Sequence, residues 1–333
     1  HHAGAMSGRA LVMAHQDLAG EPLDELFNGE KFAPEEISEA EREALGHPQN
    51  EATLPEALDF PDFLLPELMR SLGDDLPAIM EAMQERAPVD LRVNALKTTV
   101  PEAQQRLAKD LIFTEPHPLS KHALRITQNP RKLASSWAYS YGFVELQDVS
   151  SQAVSEFCQA KPGMRVLDYC AGGGGKTLAL AAQMGGKGEL VAHDKNFQRM
   201  NSLTDRASRS GAVVKLARTE DLPALGLFDL VLVDAPCSGT GAWRRNPDNK
   251  WRLDAASLKS VIALQKQILK TASAFVKPGG TLVYATCSLL RAENEDVVAA
   301  FVEACPEWVV NGKLNLSPLQ GGDGFFACKL LRE

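Results

Sequence analysis

From Asp148 to the end of the chain, short apolar runs alternate with amphipathic stretches of helical period. The pattern predicts a helix over 149–159, strand Arg165–Tyr169, helix Thr177–Met184, strand Glu189–His193 and helix Asn196–Ser210. It continues with strands Val213–Leu216 and Asp229–Val233, helix Leu258–Phe275, strand Thr281–Ala285, helix 292–304 and a terminal strand Gly324–Leu330. Alternation of this kind predicts an α/β fold with a doubly wound, mostly parallel sheet closed by an antiparallel C-terminal strand. Upstream the rhythm differs. Leu64, Leu65, Leu68, Met69 and Leu72 recur at helical spacing until Gly73, and Leu76, Ile79, Met80 and Met83 line a second helix. Leu91–Lys97 alternates like a half-buried strand, Pro101 opens a helix, and strands are expected at Leu111–Phe113, Ala123–Ile126 and Phe143–Leu146. Residues 59–147 thus read as a small α+β domain and 148–333 as the larger one. Residues 1–58 are acidic with few core positions and read as a linker or the remnant of a truncated N-terminal domain. His1–Met6 reads as a tag remnant or a cut edge.

Composition narrows the class. The chain has 333 residues, 44% hydrophobic and 23% charged, which is ordinary for a globular protein of this size. No run approaches the ~18 apolar residues of a membrane span, so no membrane partner is expected. The net charge of −8 argues against non-specific coating of nucleic acid but leaves room for a local basic groove. The six cysteines form no C-x-x-C pair, so neither a zinc site nor a disulfide framework is expected. With no apolar leader after basic residues, reduced thiols in a cytoplasmic protein are the expectation.

The first strand of the larger domain runs into Asp168-Tyr169-Cys170-Ala171-Gly172-Gly173-Gly174-Gly175-Lys176-Thr177. A phosphate-binding P-loop would need glycine at position 170, and a dinucleotide fingerprint starting at Gly172 would need glycine at 177. The remaining reading is the S-adenosylmethionine turn of class I methyltransferases. There an acid ends the first strand, small residues admit the cofactor to the backbone, and an acid after the second strand holds the ribose. Asp168, the glycine run and Asp194 fit.

Two further strands end in polar turns that carry a thiol: Asp234-Ala235-Pro236-Cys237-Ser238-Gly239-Thr240-Gly241 and Ala285-Thr286-Cys287-Ser288. In a doubly wound sheet both turns open on the cofactor face. Pyrimidine C5 is a weak nucleophile, and a thiolate adding at C6 makes it enamine-like and able to accept a methyl group. An ordinary thiol is only a few per cent thiolate at neutral pH, so the site must raise that fraction. Asp234 is suited to hydrogen-bond the base edge and assist proton transfer near N3. Residue chemistry alone leaves open which thiol attacks. Cys158, Cys305 and Cys328 read as small buried hydrophobes.

With these residues the chain resembles the Nol/Nop/Sun family of S-adenosylmethionine-dependent RNA cytosine-C5 methyltransferases. The resemblance runs from about Leu91 to Leu330. It rests on Gln147-Asp148, the Asp168–Thr177 turn, the two cysteine turns, Pro247-Asp248-Asn249-Lys250-Trp251 and Asp323-Gly324-Phe325-Phe326. It implies that Cys287 is the nucleophile, that Cys237 promotes release of the methylated RNA, and that Asp234 contacts cofactor or base. It further implies a cofactor site of Asp168, Cys170, Ala171, Gly172, Gly173, Gly174, Gly175, Lys176, Asp194, Arg199, Asp234 and Pro236. Where the family usually reads Cys-Ala-Ala-Pro-Gly-Gly-Lys, Gly172 and Gly173 replace the second alanine and the proline. The family's adenine-contacting aspartate after the third strand falls at Arg218, with Glu220 and Asp221 nearby.

The loop Trp243–Arg252 sets four cations and two tryptophans beside Cys237. Cations that pair phosphates and an indole that stacks on a base would hold single-stranded RNA, so Arg244, Arg245, Lys250 and Trp251 are the RNA-binding candidates. Arg125, Arg131 and Lys132 of the small domain, read as RNA-binding, either extend the groove or are ordinary surface charge. His193 has no second ligand at metal spacing and reads as structural, and Lys176 is expected to pair with a strand-end carboxylate. The reading is a monomeric RNA cytosine-C5 methyltransferase, with small-subunit ribosomal RNA the favoured substrate and transfer RNA second. A catalytically weak RNA-binding assembly factor and a P-loop NTPase are the competing classes.

Overall fold

Neighbouring residues of the central strands belong to two different cores. The structure, a computed structural model, describes residues 8–46 and 53–333, so His1–Met6 lie outside it. Leu167, Val191, Val231, Val233, Leu282 and Tyr284 pack on one face of a large sheet against Leu269, Ala272, Val297 and Phe301. Val166, Leu190, Ala192, Leu230, Leu232 and Val283 pack on the other against Leu178, Leu180, Met200 and Leu203. Side chains of a strand alternate faces, and a sheet covered by helices on both sides therefore reads as a continuous apolar run.

The small sheet comprises β1 (Asp90–Val93), β2 (Phe113–Pro116), β3 (Ala123–Gln128) and β4 (Val144–Leu146), in the antiparallel order β2-β3-β1-β4. The large sheet comprises β5 (Arg165–Asp168), β6 (Glu189–His193), β7 (Lys215–Ala217), β8 (Phe228–Asp234), β9 (Val276–Thr286), β10 (Trp308–Leu316) and β11 (Phe325–Arg332). Its order is β10-β11-β9-β8-β5-β6-β7, with β11 antiparallel to both of its neighbours and β5–β9 parallel. This is the class I methyltransferase sheet that the sequence predicts. The order reverses beside β5, so the turns after β5, β6, β8 and β9 open on one edge.

Both sheets lie within one compact unit, Phe63–Glu333. Buried polar struts join them. Arg92 of β1 donates from Nη1 to Gln147 Oε1 and to the Gly175 carbonyl, each at 2.7 Å. Glu145 of β4 is buried and accepts from Arg206 at 3.0 Å and Arg209 at 2.5 Å. Asn94 donates to the carbonyls of Gly142 and Ser210, each at 2.8 Å. The small sheet therefore buttresses the helix that follows the glycine turn.

Residues up to Asp62 form a separate unit. In it helices Gly8–Leu18, Leu23–Leu26 and Glu39–Gly46 enclose a small core of Met13, Phe27 and Ile37. In the larger unit, the helix expected over Asn196–Ser210 is split into a 3₁₀ turn, Phe197–Met200, and a helix, Leu203–Ser210. Asp194 and Asn196 each accept a backbone N–H two residues on, and these local bonds compete with a helical start. The strand expected at Leu111–Phe113 begins only at Phe113, because Leu111 adopts φ +60°. Strand β10 was not foreseen. Its exposed polar positions and the break in register around Gly312, at φ +143°, blur the alternation.

Candidate active site

The glycine turn bends between β5 and the helix Gly175–Gln183, with Gly172 at φ +53° and Gly174 at φ +81°. Side chains rarely adopt such values, which accounts for glycine at these two positions. The Gly172 N–H donates to Asp194 Oδ2 at 3.0 Å, and Arg199 Nη1 lies 3.1 Å from the same oxygen. Arg206 donates to the Gly173 carbonyl. The Ala171 N–H donates to the His193 carbonyl at 2.8 Å, which ties the turn to β6. His193 is satisfied at both nitrogens, by the Tyr169 carbonyl at 2.7 Å and Thr219 Oγ1 at 3.0 Å, as a structural histidine should be.

Asp168 at the end of β5 is fully buried. Thr177 Oγ1 donates to its Oδ2 at 2.6 Å, while Oδ1 has no partner. Burial pushes this carboxyl up to about 7, against the pull of the Thr177 hydrogen bond. The folded chain therefore holds a proton that the unfolded chain releases near 3.8, and stability falls as pH rises between those values. Asp168→Asn removes this dependence. The variant is expected to gain in melting temperature over the parent as pH is raised from about 5 to about 8; a constant difference between the two across that range would contradict it.

Lys176, the first side chain inside the helix, pairs with Asp234 Oδ2 at 2.8 Å, the strand-end partner expected for it. It is 8% exposed and its Nζ stands 4.7 Å from the Phe325 ring centre. Burial lowers its affinity for a proton, but Asp234 and Cys287 outweigh that, so the ammonium is retained. On the same edge Cys237 Sγ and Cys287 Sγ lie 3.3 Å apart, both partly exposed. The hydrogen bond with Cys287, burial and nearby negative charge hold the Cys237 thiol well above the ordinary range. Burial likewise raises Cys170, and it pushes Cys158 up to about 12 and Cys328 up to about 11.

The arginines of the 243–252 loop have other partners. Arg244 Nε lies 3.1 Å from Asp323 Oδ1, Arg245 Nε 2.5 Å from Asp323 Oδ2, and Arg245 Nη2 2.7 Å from Asp148 Oδ2. Trp243 and Lys250 are buried, whereas Trp251 is 59% exposed. In this arrangement Arg244 braces the loop against the 321–324 segment, and Trp251 is the exposed member, with Lys250 Nζ 5.9 Å from its ring centre. Arg125 is likewise engaged, with Asp90 at 2.8 Å and the Gly321 carbonyl at 2.7 Å. Arg218 lies over the Phe197 ring at 4.4 Å. Pro236 is exposed beside Cys237.

Sequence reasoning missed Glu293. This fully buried carboxylate accepts from the Ser238 N–H at 2.8 Å, Gln265 Nε2 at 2.9 Å and the hydroxyls of Ser238 and Ser288. In the sequence it stands among acids just ahead of the helix Glu295–Ala304, where the helix dipole is explanation enough. Asp323 was quoted only as part of a motif, with no hint of its arginine partners. Among the described residues no group of three or more His, Cys, Asp or Glu could hold a metal ion, and no helix is long and apolar enough to cross a membrane.

Two thiols and an ammonium–carboxylate pair thus stand at the ends of neighbouring strands. Comparison with known proteins decides membership. The family described as 16S rRNA methyltransferase RsmB/F matches residues 157–331. The chain belongs to this RsmB/F family. A second family, the RsmF/B-like ferredoxin-like domain, matches residues 60–131. Ribosomal RNA small subunit methyltransferase B of Klebsiella pneumoniae is 33% identical over 286 residues, covering 82% of this chain and 66% of that protein. A probable ribosomal RNA small subunit methyltransferase B of Synechocystis is 31% identical over 306 residues, covering 85% and 69%. The chain thus spans about two thirds of the length of these RsmB/F relatives. A methyltransferase homologue from Pyrococcus horikoshii superimposes with a TM-score of 0.74 at 27% identity, over 84% of this chain and 97% of that one. NSun6 from the same organism shares the fold, with a TM-score of 0.73 at 19% identity over 82% and 98%.

Proposed function

We propose that the protein is an S-adenosylmethionine-dependent RNA cytosine-C5 methyltransferase, with small-subunit ribosomal RNA as substrate. The observation that carries this reading is the pair of cysteine sulfurs 3.3 Å apart beside the Lys176–Asp234 ion pair. A methyl transfer that needed no covalent help would have no use for two thiols there. The substrate follows from the named relatives, and Trp251 supplies an exposed ring on which a base can stack.

The residues present fit the donor. The orphaned, buried Asp168 Oδ1 lacks a hydrogen-bond donor, and Asp194 and Asp234 at the ends of β6 and β8 offer acceptors for hydroxyl or ammonium groups. The positive-φ turn 172–174 lets a ligand approach the backbone. Asp168, the 170–176 backbone, Asp194 with Arg199, Asp234 and Pro236 would hold S-adenosylmethionine, which supplies an electrophilic methyl group on a sulfonium.

In this reading the Cys287 thiolate donates an electron pair that forms a bond to C6 of the cytosine. The C5=C6 electrons then become available at C5, and the Asp234 carboxylate accepts a hydrogen bond from the exocyclic amine on the base edge. Once C5 carries the methyl group, its proton must leave. Cys237 is suited to relay it, giving its own proton to the departing Cys287 sulfur and taking the C5 proton in exchange. The C5–H electrons restore C5=C6, and the C6–S electrons return to Cys287.

This balance predicts a readout. With small-subunit ribosomal RNA carrying tritium at cytosine C5, tritium release to water should match methyl incorporation one for one. Methyl incorporation with tritium retained would place the methyl group elsewhere and refute C5 chemistry. Transfer RNA in the same assay tests the second substrate.

A further inference from the structure

Glu293 is a buried carboxylate with no cation beside it among the described residues. It is 0% exposed, and among the described residues no lysine, arginine or histidine pairs with it. Its four donors come from three separate segments. Ser238, through its N–H at 2.8 Å and its hydroxyl, belongs to the turn after β8, one residue from Cys237. Ser288, through its hydroxyl, belongs to the turn after β9, one residue from Cys287. Gln265, at 2.9 Å, belongs to the helix Ala255–Ser273 and spends the same Nε2 on the Pro236 carbonyl, also at 2.9 Å. The Glu293 carbonyl is itself fixed by the Tyr284 hydroxyl at 2.7 Å.

Burying an ionised group is costly unless hydrogen bonds replace its hydration, and a hydrophobic residue would fill this space at less cost. A carboxylate that bridges the two cysteine turns therefore calls for a functional reason. We propose that Glu293 is the positioning residue of the cysteine pair: it clamps the Cys237 turn to the Cys287 turn and so divides the work between the two sulfurs. The proposal rests on the covalent reading above. The clamp sets the distance over which a proton passes between the sulfurs. Its negative charge disfavours a second anion at Cys237, and so keeps there the proton that the departing Cys287 needs.

The other ionisable groups acting on Cys237 are Cys287 itself and, from β9, Tyr284. Asp234 and then Cys287 help Lys176 keep its proton. Of these, Glu293 is the one that can be neutralised without touching the reacting groups. In Glu293→Gln the carbonyl oxygen can keep the Ser238 N–H and Gln265, while the serine hydroxyls turn to accept from the new amide.

The test uses the full chain without RNA or methyl donor, so its outcome is independent of activity. Iodoacetamide alkylation of Cys237 and Cys287 is followed against pH by peptide mass spectrometry. In the parent, Cys287 should react about tenfold faster than Cys237 at neutral pH, and E293Q should raise the Cys237 rate about tenfold, one pKa unit. An unchanged ratio in an E293Q protein that melts like the parent would overturn the proposal. A second variant, Ser238→Ala with Ser288→Ala, removes two ties and no charge. Diamide, a thiol oxidant that is reduced to its hydrazine, should join Cys237 to Cys287 about tenfold more slowly in it, as effective concentration falls. Equal rates in parent and double variant would overturn the clamp. If both thiol tests succeed but tritium release fails, the clamp stands and the cytosine-C5 reading falls.

Discussion

Replacing Cys287 with alanine is expected to lower methyl transfer by about 10⁴-fold or more, because it removes the atom that forms the bond to C6. The change should leave the fold intact. Cys287 is only partly buried, and its side chain sits at the margin of a small apolar cluster with Leu316 and Phe325, so the lost sulfur costs about 1 kcal/mol. Methyl incorporation into ribosomal RNA, measured with a melting curve on the same preparation, separates the two effects. A variant that melts like the parent and still methylates at a tenth of its rate would exclude Cys287 as the nucleophile.

The second large effect is one of shape. Gly241 ends the turn that begins at Cys237, and its N–H donates to the Cys287 carbonyl at 2.9 Å while its carbonyl accepts from Gly324 at 2.8 Å. A Cβ on Gly241 would stand 2.2 Å from the Gly324 carbonyl oxygen and 2.7 Å from its carbon. Both are backbone atoms and cannot rotate away. Gly241→Ala should therefore push the 321–324 segment off the cysteine turns, breaking the seat of Asp323 and its two arginines. The expected cost is roughly 3–5 kcal/mol, in the range of severe overpacking. A chemical denaturation curve measures it. A variant as stable as the parent would show that the two backbones are not held in contact.

Much of the site can be read directly from the chain because it lies where strands end. Asp168, Asp194, Asp234, Cys237 and Cys287 each follow an apolar run that can only be a buried strand, and topology then delivers all five to one edge. Lys176 is legible for a related reason, since a lysine at the buried start of a helix needs a carboxylate. The ion pairs of the 243–252 loop were not legible, because a sequence gives the count of cations and not their partners. Asp323 and Asp148, 175 residues apart in the chain, meet only through folding, and each takes Arg245. Glu293 was hidden by a competing local explanation. Strand β10 was hidden by its own polarity, since an edge strand buries too little to show a period.

Most of these expectations converge on one covalent bond. The most direct measurement mixes the Cys237→Ala protein with S-adenosylmethionine and under-methylated small-subunit ribosomal RNA, then runs the mixture on a denaturing protein gel. Without Cys237 to relay the proton, the adduct between Cys287 and C6 should persist, giving a slow-migrating protein–RNA band. The same mixture made with Cys287→Ala should give none. A band from Cys287→Ala and none from Cys237→Ala would exchange the roles of the two thiols. Methylation of the RNA by Cys287→Ala at the parent rate, with no band from either variant, would contradict the covalent mechanism itself.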